Sequence, residues 1–361
     1  MSSHIKHSIL LSLLLLASSF ALCQLDEGLS KKHREIVDQA AASSKVMGIA
    51  SGIAISDERF FYSAGSKDKE RSMEFTPQTV TRIASVVKPM TAVAVMQLVE
   101  RGLIDLDTPV QTYVADWPVK PEGQITVRQL LGHFSGTPAY QGKKEINNTT
   151  HYPSLAEASK VFRDRPLDFV PETDFGYSSY GYVVLGLVIE QVSGQSFGQY
   201  MTENIFKPAN MINTSVEVAG NFPDGKSEMF QSNGKGKLTH LDPTDLSDRI
   251  PGGGVQSTVE DVLNFGHALI NEKLISSSSI ETLFLNLGMK RGGSGYGLGF
   301  YLYGINPTHG NVVGHTGGQQ GCSAQFFLLP EKDAVVFVVS NTSNAMDIAS
   351  PAAVALFDMI P

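Results

Sequence analysis

Apolar positions along this chain follow two rhythms. Toward both ends, short apolar or alternating runs lie between polar turns, the period-two pattern of strands. Residues 48–56 and 60–64 read as two strands joined at Asp57-Glu58. Residues 296–303, 311–315, 323–329 and 334–340 read as four more, with Pro330-Glu331-Lys332-Asp333 as the turn between the last two. A charged amphipathic helix over 27–42 precedes the first strands, and another helix over 346–359 closes the chain. Between the strand-rich ends the spacing becomes helical, clearest over 89–101, 179–192 and 259–270. Strands from both ends with helices between them imply an α/β (α+β) fold: one antiparallel sheet assembled from both termini, flanked by helices, with a mainly helical domain inserted. The sheet domain is expected over 24–80 and 290–361, and the helical domain over 81–289. No internal repeat or low-complexity tract is visible.

The first 23 residues stand apart. Lys6 is followed by a nearly unbroken apolar run over 9–16 and a smaller, more mixed stretch over 17–23. A charged head, an apolar stretch short for a bilayer and small residues at the end describe a secretory signal, which places the mature protein in a periplasm or outside the cell. Ala21 and Cys23 suit cleavage after Cys23. A lipid anchor on Cys23 is the rival, disfavoured by Leu22 before it, and an uncleaved membrane anchor is the third option. After cleavage no stable membrane span is expected. Loss of one Lys and no acid takes the net charge from −8 to −9, and Cys322 is left as the only cysteine. The core must then hold without an intramolecular disulfide. Cys322, next to Gly321, reads better as a small buried hydrophobe than as a nucleophile.

Composition narrows the function. The 361 residues are 42% hydrophobic and 18% charged, with 28 Lys+Arg against 36 Asp+Glu. No basic stripe is present, and binding a phosphate backbone needs one, so a nucleic-acid partner is not expected. There is no Gly-x-Ser-x-Gly; Gly132-His133-Phe134-Ser135-Gly136 has the wrong spacing for a nucleophile elbow. There is no His-Glu-x-x-His, and Pro251-Gly252-Gly253-Gly254 lacks the Lys and Ser/Thr of a nucleotide cradle. Neither metal nor other cofactor is implied.

The positive signal is Ser85-Val86-Val87-Lys88. Ser and Lys three apart on a helix share a face, so the amine can reach the hydroxyl and help remove its proton. Ser3/Lys6, Ser66/Lys69 and Ser232/Lys235 have the same spacing, but the first lies in the signal and the others in polar loops. Ser85 instead opens an apolar helix through Ala92, Val93, Val95, Met96, Leu98 and Val99, ended by Gly102. Taken alone, Ser85 as a helix cap and Lys88 as a snorkelling amine explain the pair as well.

Two further segments change the weighing. Tyr177-Ser178-Ser179 leads into a buried helix, and a phenol beside a lysine can serve as general base, although a core tyrosine is the commoner fate. His315-Thr316-Gly317-Gly318 follows Val312-Val313. Its glycines allow close approach to a ligand and leave peptide N–H groups to face an oxyanion, unless they only make a hairpin turn.

In order and rough separation, Ser85-x-x-Lys88, Tyr177-Ser178-Ser179 and His315-Thr316-Gly317 resemble the penicillin-recognising serine hydrolases. The text running from Arg82 to Pro89, from Gly102 to Asp107, from Ile125 to Gly136 and from Gly254 to Thr258 is similar to the class C β-lactamase-related branch. That branch includes D-aminopeptidases, D,D-carboxypeptidase-like enzymes, family VIII esterases and mitochondrial β-lactamase-like members. The resemblance covers the whole mature chain and implies the β-lactamase/transpeptidase fold with its groove between the two regions. It makes Ser85 the acylated nucleophile, with Lys88 and Tyr177 sharing proton transfer and the N–H groups of Ser85 and Gly318 forming the oxyanion hole. Ser179, His315, Thr316 and Gly317 would bind substrate, Ser179 also being able to contact Lys88. Two departures matter: His315 stands where the family usually has Lys, and Ser179 where it usually has Asn. Both weaken recognition of an anionic β-lactam. The expected activity is hydrolysis of a small ester, amide or D-peptide, esterase ahead of D-amino-acid peptidase or weak β-lactamase. A non-catalytic peptidoglycan-binding or scaffold protein is the reading from another class.

Overall fold

A computed structural model describes residues 27–223, 225–288, 290–291 and 294–361; the segment read as a secretory signal lies outside them. An eight-stranded antiparallel sheet is built from both ends of the chain. Its strands are β1 (Gly48–Ile55), β2 (Glu58–Gly65), β3 (Lys290–Arg291), β4 (Ser294–Tyr296), β5 (Tyr301–Asn306), β6 (Gly310–Gln319), β7 (Cys322–Leu329) and β8 (Ala334–Ser340). In space the order is β2-β1-β8-β7-β6-β5-β4-β3, so the N-terminal hairpin is zipped onto the C-terminal strands through β1 and β8.

Alternation along the central strands explains the two layers of helix. Ile49 and Ile53 of β1, with Val336 and Val338 of β8, face one cluster; Ala50, Ala54, Val335, Phe337 and Val339 face the other. The first cluster is covered by helix α1 (residues 27–41) through Val37 and by helix α7 (Met346–Phe357) through Ala349, Ala353 and Leu356. Every residue of β7 and β8 is buried, the signature of strands sandwiched on both faces.

The inserted region holds helices α2 (Val87–Glu100), α3 (Val127–Gly132), α4 (Ser179–Ser193), the short turn α5 (Ile250–Gly253) and α6 (Val259–Ile270). From Val87 to Leu98, α2 is buried on all sides, which fits its unbroken apolar character. Although it falls within 81–289, α6 lies on the sheet. A Cβ on Gly52 of β1 would stand 2.7 Å from Leu263, and one on Gly266 of α6 would stand 2.7 Å from Val335, so bare glycine surfaces let helix and sheet close together.

Two strands differ from their predicted limits. The single run over 296–303 is broken after Tyr296, because Gly299 turns at φ +88° and a Cβ there would lie 2.5 Å from Ala92 of α2. The excursion brings the sheet against the helix that carries Lys88. Conversely, β6 runs past His315 to Gln319, so Gly317 and Gly318 lie inside the strand and the hairpin turns at Gly321, φ +68°.

Candidate active site

Ser85 sits in a 3-10 turn, Ala84–Val86, that feeds directly into α2. Ala84 takes φ +49°, a left-handed conformation that costs a residue with a Cβ roughly 1–2 kcal/mol. The sharp turn leaves Ser85 half-exposed while Ala84 and Val86 are buried. Neither the turn nor α2 has a side-chain cap, so Ser85 is not the helix cap that its position allows. Its hydroxyl is instead 3.1 Å from Lys88 Nζ.

Lys88 is fully buried rather than snorkelling. Its amine meets Ser85 Oγ at 3.1 Å, Ser179 Oγ at 3.1 Å and the Gly252 carbonyl at 2.7 Å, between the rings of Tyr177 (4.9 Å) and Tyr182 (5.3 Å). A carbonyl can only accept, so one N–H is committed to Gly252. The two hydroxyls can donate or accept, which lets the amine either hydrogen bond to Ser85 or take its proton. Burial pushes the Tyr182 phenol well up, so it stays neutral and donates to the Leu131 carbonyl at 3.0 Å.

Gly252 is a residue that the sequence reading passed over. Pro251-Gly252-Gly253-Gly254 is not a nucleotide cradle but the wall behind Lys88. A Cβ on Gly252 would stand 3.1 Å from the Ser179 carbonyl and 3.5 Å from Lys88 Nζ. Pro251 accepts from Thr91 Oγ1 at 2.7 Å, and Gly253 from Gln319 Nε2 at 3.1 Å, so this turn ties α2 to β6. The run of glycines was a signal for close approach, but nothing local says what approaches.

Tyr177 is delivered by the start of α4. Ser178 is the N-cap, accepting from Gly181 N–H and donating to the Pro138 carbonyl at 2.7 Å. Ser179, the first helical residue, is thereby turned toward Lys88. Tyr177 is half-buried.

From the sheet, β5 pairs with β6 only as far as Gly314, leaving β7 as the strand paired with residues 315–319. Their other edge runs beside the Ser85 turn: a Cβ on Gly317 would lie 2.5 Å from the Ile83 carbonyl and 3.3 Å from Ala84 Cβ. Gly318 is exposed, with open space where a Cβ would be. Thr316 is half-buried, and its carbonyl is engaged by His315. His315 itself is buried, with Nδ1 2.6 Å from the Thr316 carbonyl and Nε2 3.0 Å from Tyr296 Oη. A neutral ring protonated on Nδ1 satisfies both contacts. Below the site, buried Arg82 donates to the Gln320 carbonyl at 3.1 Å, to Thr244 and to Glu217, whose second partner is Lys226 at 3.1 Å. Burial pushes the Glu217 carboxyl up, but the hydrogen bonds and charges of Arg82 and Lys226 hold it below the usual range.

The structure therefore brings together Ser85, Lys88, Tyr177, Ser179, Gly317 and Gly318, adds Gly252 and Tyr182, and keeps His315 inside the protein. Among the described residues no group of three or more His, Cys, Asp and Glu gathers as a metal site.

Known proteins share this architecture. The chain is 27% identical over 405 residues to the serine beta-lactamase-like protein LACTB, mitochondrial, of Bos taurus, covering 85% of this chain and 72% of that protein. It is 27% identical over 305 residues to penicillin-binding protein 4* of Bacillus subtilis, covering 79% and 66%. The D-amino acid amidase of Ochrobactrum anthropi SV3 complexed with L-phenylalanine amide has the same fold, with a TM-score of 0.81 at 23% identity over 92% of this chain and 98% of that one. A family model described as Beta-lactamase matches residues 33–358, nearly all of the described chain. With that match and a serine–lysine pair set between sheet and helical region, the chain belongs to the beta-lactamase family of serine hydrolases.

Proposed function

We propose that this chain is an exported serine hydrolase that cleaves esters, and by the alternative reading D-amino-acid amides or peptides, through an acyl intermediate on Ser85. The observation that carries the chemistry is the buried Lys88 amine, 3.1 Å from Ser85 Oγ and anchored at 2.7 Å on Gly252. Ser85 Oγ attacks the substrate carbonyl carbon, and its proton passes to the Lys88–Tyr177 pair. The carbonyl oxygen becomes an oxyanion facing the N–H groups of Ser85 and Gly318. As the tetrahedral adduct collapses, the C–O or C–N bond breaks and the leaving alcohol or amine takes the proton. Water then attacks the acyl carbon, and the same pair takes its proton. The pair passes it to Ser85 Oγ as the acyl C–Oγ bond breaks, and the carboxylic acid leaves with Ser85 restored. Lys88 and Tyr177 act on one proton together.

His315 supports neutral substrates. Its ring is buried with Nδ1 on the Thr316 carbonyl and Nε2 on Tyr296 Oη, turned into the protein rather than toward a substrate carboxylate. Export rests on the pattern of residues 1–23. The test is paired steady-state rates of the purified protein on a short-chain p-nitrophenyl ester, a D-alanyl p-nitroanilide and a chromogenic cephalosporin. The ester is expected to turn over fastest and the cephalosporin slowest. Faster cleavage of the anilide replaces the esterase reading with the peptidase one, and a cephalosporin rate matching the ester overturns the neutral-substrate reading.

A further inference from the structure

We infer that His133 is a positioning residue that fixes Tyr177 by holding the peptide N–H groups on both sides of it. This rests on the proposed acyl chemistry at Ser85. His133 follows α3 in the left-handed conformation, φ 62° and ψ 31°, so its carbonyl and its ring both face the approach to α4. The carbonyl accepts from Gly176 N–H at 2.8 Å, and Nδ1 accepts from Ser178 N–H at 3.3 Å. Tyr177 is held between two amides that end on a single residue. The imidazole also lies against the phenol, with ring centroids 4.2 Å apart, and reaches Tyr182 at 5.3 Å, the other ring beside Lys88.

The side chain is buried, so His133 touches no substrate and acts through Tyr177. A peptide N–H only donates, so Nδ1 must be the bare nitrogen and the proton of the neutral ring sits on Nε2. Neither a hydrocarbon ring nor the other tautomer can make this bond. Without it the tyrosine keeps its neighbours but loses its fixed place beside the Lys88 amine, and misplacement by about 1 Å costs on the order of 10²-fold in rate.

The experiment compares covalent labelling by a fluorophosphonate in the full chain as wild type, Ser85→Ala, His133→Phe and His133→Asn. His133→Phe keeps a ring and drops the acceptor; labelling slower by roughly 10- to 100-fold is expected. On an ester its loss falls on kcat, with KM within about twofold. His133→Asn keeps an acceptor and suits the left-handed backbone, so it recovers to within about fivefold of wild type. Labelling of His133→Phe at the wild-type rate overturns this inference and leaves the hydrolase reading standing. Wild type that labels no better than Ser85→Ala overturns both. Should His133→Phe not fold, the imidazole ¹⁵N shifts of wild-type His133, assigned by their loss in His133→Asn, decide the matter: a bare Nδ1 is expected, and an Nδ1–H tautomer overturns the inference.

Discussion

Two adjacent glycines allow a sharp test, because the same methyl group meets opposite surroundings. In Gly317→Ala the new Cβ lies 2.5 Å from the Ile83 carbonyl oxygen. Ordinary C···O approach is about 3.3 Å or more, so the shortfall is nearly 1 Å. Both groups are fixed to backbone, and neither can rotate away; β6 must move off the Ser85 turn by a comparable amount. Overpacking of this kind costs roughly 1–3 kcal/mol in stability. The larger effect falls on catalysis. Gly318 N–H follows the strand, and displacing an oxyanion donor costs on the order of 10²-fold in kcat. In Gly318→Ala the methyl enters open space, without a left-handed φ. That variant should keep kcat within about threefold and show its effect in KM, where substrate meets the methyl. Steady-state kinetics on a p-nitrophenyl ester, with thermal melts of each variant, separate the two. Gly317→Ala with near wild-type kcat, or Gly318→Ala with an equal loss of kcat, refutes the placement of β6 in the oxyanion hole.

Other outcomes follow from buried groups away from the groove. Glu217→Gln leaves Arg82 and Lys226 buried without their counter-charge and should cost roughly 3–5 kcal/mol in denaturant unfolding; a change under about 1 kcal/mol contradicts this. Burial lowers the His33 pKa to about 4 from 6.5, so the folded ring stays neutral while the unfolded one protonates below about 6.5. The stability it contributes is complete above that pH and is lost as pH falls toward 4, by about 2 kcal/mol at pH 5. His33→Gln should flatten this part of the pH profile, and an unchanged profile counts against it. Burial pushes the Cys322 thiol up to about 12, so iodoacetamide at pH 8 should modify it only after unfolding; modification of the folded protein contradicts its placement in the core.

What could be read in advance was what is local in sequence. Ser85 and Lys88 are three apart where a 3-10 turn runs into a helix, and Tyr177 and Ser179 flank a helix start. Spacing made each pair a candidate, and only the three segments taken together, with the family they resemble, singled them out. The sheet was legible for the same reason: alternation along β1 and β8 sorts the residues of each strand between two cores. Long-range contacts were not legible. The tripled glycine after Pro251 signals close approach without naming Lys88, which lies more than a hundred residues away. His133 lies in the motif with the wrong elbow spacing and in the Ile125-to-Gly136 text similar to the β-lactamase-related branch, but neither points to a role. That role needs a left-handed turn that brings it back to Gly176 and Ser178. The sequence reading also assigned His315 to substrate, whereas its ring turns inward to Tyr296, a choice made by the break after β4 that sets that tyrosine beneath it.

The central claim is that Ser85 carries the acyl group, and rapid quenching of ester turnover followed by intact and peptide mass spectrometry tests it most directly. The account predicts an adduct of the acyl mass on the peptide containing Ser85, and no adduct or turnover in Ser85→Ala. An adduct on another residue, or undiminished turnover in Ser85→Ala, contradicts it.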